Sequence, residues 1–108
     1  MKNQIEIEFH EAMLDIYRKA QREEGYTASR FLQMVVEHGG LEAANILINA
    51  DNVSEGYAAL WERGRLELTV EAVILDNEKF HSLFTGTQLI ICETRLQQYG
   101  YNKMSKWI

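Results

Sequence analysis

Arg65-Leu66-Glu67-Leu68-Thr69-Val70-Glu71-Ala72-Val73-Ile74-Leu75 is the stretch on which the fold turns. Its first four residues alternate charged and apolar, which is the period of a strand, and a strand here would make the chain a mixed fold. The residues that follow carry a different signal. Thr69 is a good helix N-cap, and Glu71 then lies in the first turn, where an acid meets the positive end of the helix dipole. Leu68 and Val73 have the spacing of a hydrophobic staple across such a cap. Together these features predict a helix over 70–75, with 65–68 as a brief connector.

Upstream, Asp51-Asn52-Val53-Ser54 is a turn cluster that offers caps to a helix lined by Tyr57, Leu60 and Trp61 and stopped by Gly64. Before it, a helix near 41–50 turns Ala44, Leu47 and Ile48 inward, and its Ala43-Ala44 pair permits close helix–helix approach. An earlier helix is capped by Thr27, with Tyr26 and Phe31 as its staple. Ala28, Phe31, Leu32, Val35 and Val36 form its buried stripe, and Gly39-Gly40 ends it.

The first helix runs from about Gln4 to Glu24. Ile5, Phe9, Ala12, Met13, Ile16 and Ala20 make its apolar face, widened by Ile7, Leu14 and Tyr17, and Gly25 is its left-handed stop. Downstream of Asp76-Asn77, Phe80, Leu83 and Phe84 belong to a short helical turn. Thr85-Gly86-Thr87-Gln88 reads as a capping box with a Phe84–Leu89 staple. The last helix carries Leu89, Cys92, Leu96 and Tyr99 on one face and closes at Gly100, with Tyr101 folding back on Leu96. Caps and apolar periodicity agree throughout. They predict an all-α fold, a compact bundle of about six to seven short helices forming a single domain over 1–101. Residues 102–108 form a C-terminal tail with two positive charges and a terminal Trp107-Ile108 pair, which packs back on the domain, frays or docks into a partner.

The 108 residues hold no proline and carry a net charge of −5, with 46% apolar and 25% charged residues. That composition is globular, and a chain of this length buries enough surface for one core. The acidic balance argues against a dedicated nucleic-acid binder. No apolar run is long enough to span a bilayer, and Met1-Lys2-Asn3-Gln4 leads into acids rather than a signal sequence. A single cysteine forms no internal disulfide, so a cytoplasmic, reducing setting is the simplest expectation.

Few residues carry recognisable chemistry. Glu78 and His81 have Glu-x-x-His spacing, but a carboxylate-bridged metal bundle needs two such pairs and two further glutamates. Glu6 and His10 share a helix face without completing a ligand set, so no metal or other cofactor is expected. Cys92 sits on the apolar stripe of its helix, where an inert core thiol is the commoner outcome than a nucleophile. No catalytic constellation stands out, although carboxylates brought together by folding would escape a sequence reading. The 54–75 region invites a helix-turn-helix reading, but its second helix lacks the Arg, Lys, Asn or Gln that meets base edges.

Two clusters remain as binding candidates. Arg18, Lys19 and Arg22, with Arg30 nearby, would meet phosphate or an acidic surface. Their ordinary role is to balance the end of the first helix beside Glu23 and Glu24. Trp61, Arg63 and Arg65 lie in the densest unusual segment, Leu60-Trp61-Glu62-Arg63-Gly64-Arg65. Trp and Arg are the side chains that most often dominate interface energy. In the structural alternative Trp61 is core, and the arginines pair with Glu62, Glu67 or Glu71.

Gly39-Gly40-Leu41-Glu42-Ala43-Ala44, Gly56-Tyr57 with Leu60-Trp61-Glu62-Arg63-Gly64-Arg65-Leu66-Glu67-Leu68-Thr69-Val70-Glu71, Leu83-Phe84-Thr85 and Tyr99-Gly100-Tyr101 form a pattern over most of the chain. It resembles a small bacterial α-helical domain family of unassigned function, found alone or appended to larger proteins. The resemblance implies bacterial or phage origin and a helical fold, and it brings no active site. The expectation is a non-enzymatic, cytosolic protein-interaction module contacting its partner through Trp61, Arg63, Arg65 and Trp107. A sharper form makes it an accessory or inhibitor of a mobile-element or defence system. The alternative is an accessory nucleic-acid-binding domain using Arg18, Lys19, Arg22 and Arg30.

Overall fold

The computed structural model describes residues 3–101, which form six α-helices and two 3₁₀ segments, with no strand among them. The helices are α1 (Gln4–Glu24), α2 (Ser29–His38), α3 (Gly40–Asn49), α4 (Glu55–Glu62), α5 (Val70–Asp76) and α6 (Gly86–Gln98). A 3₁₀ turn, Leu66–Leu68, joins α4 to α5, and a longer one, Glu78–Leu83, joins α5 to α6. No helix among the described residues is long and apolar enough to cross a membrane.

The ambiguous alternation is resolved as a turn. Thr69 Oγ1 accepts from the Ala72 N–H at 3.2 Å and donates to the Leu66 carbonyl at 2.7 Å, so one hydroxyl ends the 3₁₀ turn and caps α5. The turn sends its two leucines to different neighbours. Leu66 packs with Tyr57, Ala72 and Leu96, whereas Leu68 packs with Ala20 and Leu60. A strand would hold both on one face.

α1 is the central strut. Phe9, Met13 and Ile16 meet Val35 of α2, Ala43, Ala44 and Ile48 of α3, Val70 and Ile74 of α5, and Cys92 of α6 in the main core. Phe80 and Phe84 close its end, each edge-on to Phe9 at centroid distances of 5.1 and 5.4 Å. Such edge-on pairs add to the area term of burial. The caps read from sequence hold at Ser54, Thr69 and Thr85, and Thr85 with Gln88 forms the reciprocal capping box. Gly25, Gly64 and Gly100 adopt positive φ, and each is followed by an N–H that reaches back into its helix.

Four local expectations are corrected. Thr27 does not cap α2: Ala28 occupies the cap position without a side-chain bond, and Ser29 N–H instead bonds the Thr27 carbonyl at 2.9 Å. Val36 is 69% exposed, because α2 buries only the narrow stripe led by Val35, with Phe31 and Met34 packed beside it. Gly40 is the first residue of α3 rather than the end of α2, so Gly39 alone forms the hinge. Trp61 leaves the inner face of α4 to Tyr57 and Leu60.

Gly40 marks a close backbone approach between α3 and α1. A Cβ there would lie 2.7 Å from Cα of His10, nearer than carbon atoms pack. The Gly40 N–H donates to His10 Nδ1 at 2.9 Å, so a side chain of α1 satisfies the first turn of α3. This is the close approach that the small residues of α3 permit, since Ala43 and Ala44 are also fully buried.

Candidate functional site

α4 is short, and its ends fix what it presents. Ser54 Oγ accepts from the Tyr57 N–H at 3.0 Å to start it. At the other end Gly64 turns left-handed at φ 70°, and the Arg65 N–H closes on the Leu60 carbonyl at 2.8 Å. Between these caps Tyr57 and Leu60 face inward, and Trp61 and Arg63 face outward.

Trp61 is 46% exposed, so the core reading fails for it. Its ring stands edge-on to Tyr99 at 5.4 Å, and Tyr99 stands edge-on to Tyr57 at 5.2 Å. The three rings form a column from interior to surface that fixes the indole while leaving much of it open. Arg63 donates to the Ala59 carbonyl at 3.0 Å and lies over the Tyr26 ring at 4.8 Å. Arg65 pairs with Glu23 at 2.6 Å, Glu24 at 2.5 Å and Glu67 at 2.7 Å. It ties the end of α1 to the α4–α5 corner, and those carboxylates hold it firmly protonated. Arg63 and Arg65 therefore have separate engagements and do not present together. Of the sequence alternatives, the Arg65–Glu67 pair is present. Trp107 lies outside the described residues.

The basic residues near the end of α1 are spread among acids. Arg18 bonds Glu11 at 2.7 Å and Asp15 at 2.9 Å, Arg22 reaches Glu23 at 3.4 Å, and Arg30 reaches Glu55 on α4 at 3.4 Å. Lys19 is exposed. Phosphate binding here would have to displace these local carboxylates.

Beside α4 a pocket of about 480 Å³ opens against α1 and α2. Ile16, Ala20, Met34, Leu47, Leu60 and Val70 give it a mainly apolar wall. Arg30 and Glu55, both on its lining, join α2 to α4 at the exposed rim. Tyr57, Thr69 and Glu71 are the buried polar side chains of the lining.

Glu71 belongs to a buried ion pair whose other member, Arg95, sequence reasoning missed. Glu71 is 4% exposed and pairs with Arg95 of α6 at 3.0 Å, and Arg95 is itself 8% exposed. Arg95 also donates to the carbonyls of Leu47 at 3.2 Å and Ala50 at 2.6 Å. One guanidinium thus satisfies the C-terminal end of α3 while neutralising a carboxylate at the start of α5. Burial raises the Glu71 carboxyl above the usual carboxylate range, and its bonds to Arg95 pull the other way. The first-turn acid signal located Glu71 without showing its burial. Arg95 is separated from it by 24 residues, and only folding brings them together.

His10, His81 and Cys92 serve packing, whereas His38 is exposed at the end of α2. His10 accepts from α3, and His81 Nε2 lies 3.3 Å from the Leu75 carbonyl. Cys92 is fully buried, and burial pushes its thiol up to about 12, far from thiolate character. Among the described residues, no group of three or more His, Cys, Asp or Glu side chains is arranged to hold a metal. Comparisons with protein-family models, with curated proteins and with solved structures find no match to this chain.

Proposed function

We propose that this chain is a non-enzymatic protein-interaction module whose contact point is the outer face of α4. What supports the reading is Trp61: a large aromatic side chain that is 46% exposed and held in orientation by its edge contact with Tyr99. A pre-oriented indole loses little conformational freedom on binding and offers a large apolar area, the combination that concentrates energy at interfaces. Arg63, exposed and steadied over Tyr26, is the neighbouring polar contact. Arg65 supports the corner from behind and is not counted among the contacts. A narrower role as an accessory or inhibitor of a bacterial mobile-element or defence system draws on the net charge of −5.

The test compares wild type with Trp61→Ala as bait in lysate of the source cells, with bound proteins quantified by mass spectrometry. The partner is then purified and titrated directly. A protein retained by wild type and weakened about tenfold or more by Trp61→Ala supports the reading. Equal retention by both baits refutes it. Capture of nucleic acid that falls steeply with salt and is lost with Arg18→Ala/Arg22→Ala replaces it with the nucleic-acid reading.

A further inference from the structure

Trp61 and Tyr99 meet where two helices end. α4 closes at Glu62, one residue past Trp61, and α6 closes at Gln98, one residue before Tyr99. The C-terminal end of a helix carries partial negative charge, so the contact lies between two such ends. Glu62 adds a full charge: it is exposed and forms no ion pair among the described residues. The cations nearest in sequence are engaged elsewhere. Arg63 follows Trp61 by two residues, about 200° around the helix. Its guanidinium lies over Tyr26 and bonds the Ala59 carbonyl. Arg65 is held by Glu23, Glu24 and Glu67.

The wider field has the same sign. Residues 3–101 hold all 16 Asp and Glu residues but only 8 of the 11 Lys and Arg residues, because Lys2, Lys103 and Lys106 lie outside that range. The indole itself is open to a visitor. The two rings meet edge to face at 75°, so Tyr99 covers at most one face of Trp61. Among the described residues, cations lie over the rings of Tyr26 and Phe80 and none lies over Trp61. Indole is the side-chain ring that attracts a cation most strongly. A neutral apolar group would cover it but draw nothing from the helix ends or Glu62, and an acidic group would be repelled by both.

We propose that the protein partner presents a basic segment and lays an arginine side chain on the open face of the Trp61 indole. The inference rests on the reading of Trp61 as the contact point and adds the chemistry of what meets it.

The probe is a short blocked arginine–glycine peptide, with its citrulline counterpart as the same shape without the charge. Binding to the full chain is followed through the Trp61 indole N–H signal and the backbone amides of α4. The expected result is a saturable shift of that indole with the arginine peptide. Affinity falls about fivefold for the citrulline peptide on wild type, the worth of one exposed cation–aromatic contact. The arginine peptide loses about as much on Trp61→Leu, which keeps the net charge and whose fold is verified by its melting curve. No saturable shift of the indole overturns the proposal, and so does equal affinity for the two peptides. An arginine peptide that binds Trp61→Leu as tightly as wild type is held by general charge and overturns it as well. A Trp61 indole signal that moves in Lys103→Gln/Lys106→Gln with no peptide present gives the place to the chain's own basic residues and overturns it too. Equal retention of proteins by wild type and Trp61→Ala in the lysate test strikes the contact point itself, whereas equal binding of the two peptides strikes only its cationic chemistry.

Discussion

Replacing Arg95 by Met tests the buried pair that locks α3, α5 and α6 together. Methionine keeps most of the aliphatic length and removes the guanidinium. Glu71, at 4% exposure, is then a buried carboxylate without its cation. Breaking a buried ion pair from one side costs about 3–5 kcal/mol. The Ala50 carbonyl lies on an exposed residue and recovers a bond from water, whereas Leu47 is partly buried and loses more. A loss of about 4 kcal/mol is therefore expected, a large share of the about 5–15 kcal/mol that holds a typical domain. Urea unfolding followed by helical circular dichroism measures it, and adding Glu71→Gln to Arg95→Met should recover part of the loss by removing the stranded charge.

The same pair sets a pH signature. The Glu71 carboxyl is raised by burial, so the folded state binds its proton more tightly than the unfolded state does. Its contribution to stability is then fully present below the unfolded carboxylate value and is lost as pH rises through the higher folded value. Removing Arg95 removes the opposing pull and raises the folded value further. The deficit of Arg95→Met should shrink as pH falls and Glu71 takes up a proton. A deficit under about 1 kcal/mol, or one that does not shrink as pH falls, would refute the reasoning.

Three further outcomes follow from packing. Gly40→Ala should destabilise by about 1–3 kcal/mol in urea unfolding, because its Cβ would meet Cα of His10 at 2.7 Å; a stabilised variant would show that α1 and α3 separate easily. Trp61→Ala should cost only about 0.5–1.5 kcal/mol in thermal melts, the scale of its edge contact with Tyr99, and a core-sized loss of about 3–5 kcal/mol would remove it as an exposed anchor. Cys92, fully buried with its thiol pushed up to about 12, should react with a thiol reagent only at the rate of global unfolding; fast labelling of the native protein would contradict its burial.

The helices were legible because their causes are local. Asn3, Ser54, Thr69 and Thr85 each accept from an N–H within three residues, and Gly25, Gly64 and Gly100 supply the left-handed stops, so these boundaries need no distant partner. Thr27 misled because a capping residue type is no guarantee that the helix begins there. At that corner the chain bonds Ser29 N–H to the Thr27 carbonyl instead. Val36 misled for a related reason. Periodicity gives an apolar stripe, but its width is fixed by which neighbours exist, and α2 uses Val35 while leaving Val36 in solvent.

The candidate sites lie at the other end of that scale. Sequence by itself determined that the chain would be helical, where most helices start and stop, and which side chains have the chemistry to bind. Tertiary structure alone decided that Trp61 would stand outward, that Arg65 would be consumed by acids from α1 as well as by Glu67, and that Arg95 would cross 24 residues of sequence to reach Glu71. It also decided that the Tyr57 hydroxyl would be buried without a hydrogen-bond partner among the described residues. The physical reason is range: capping and periodicity act within a turn or two of the backbone, whereas burial, ion pairing and pockets depend on which distant surfaces the packed helices bring together.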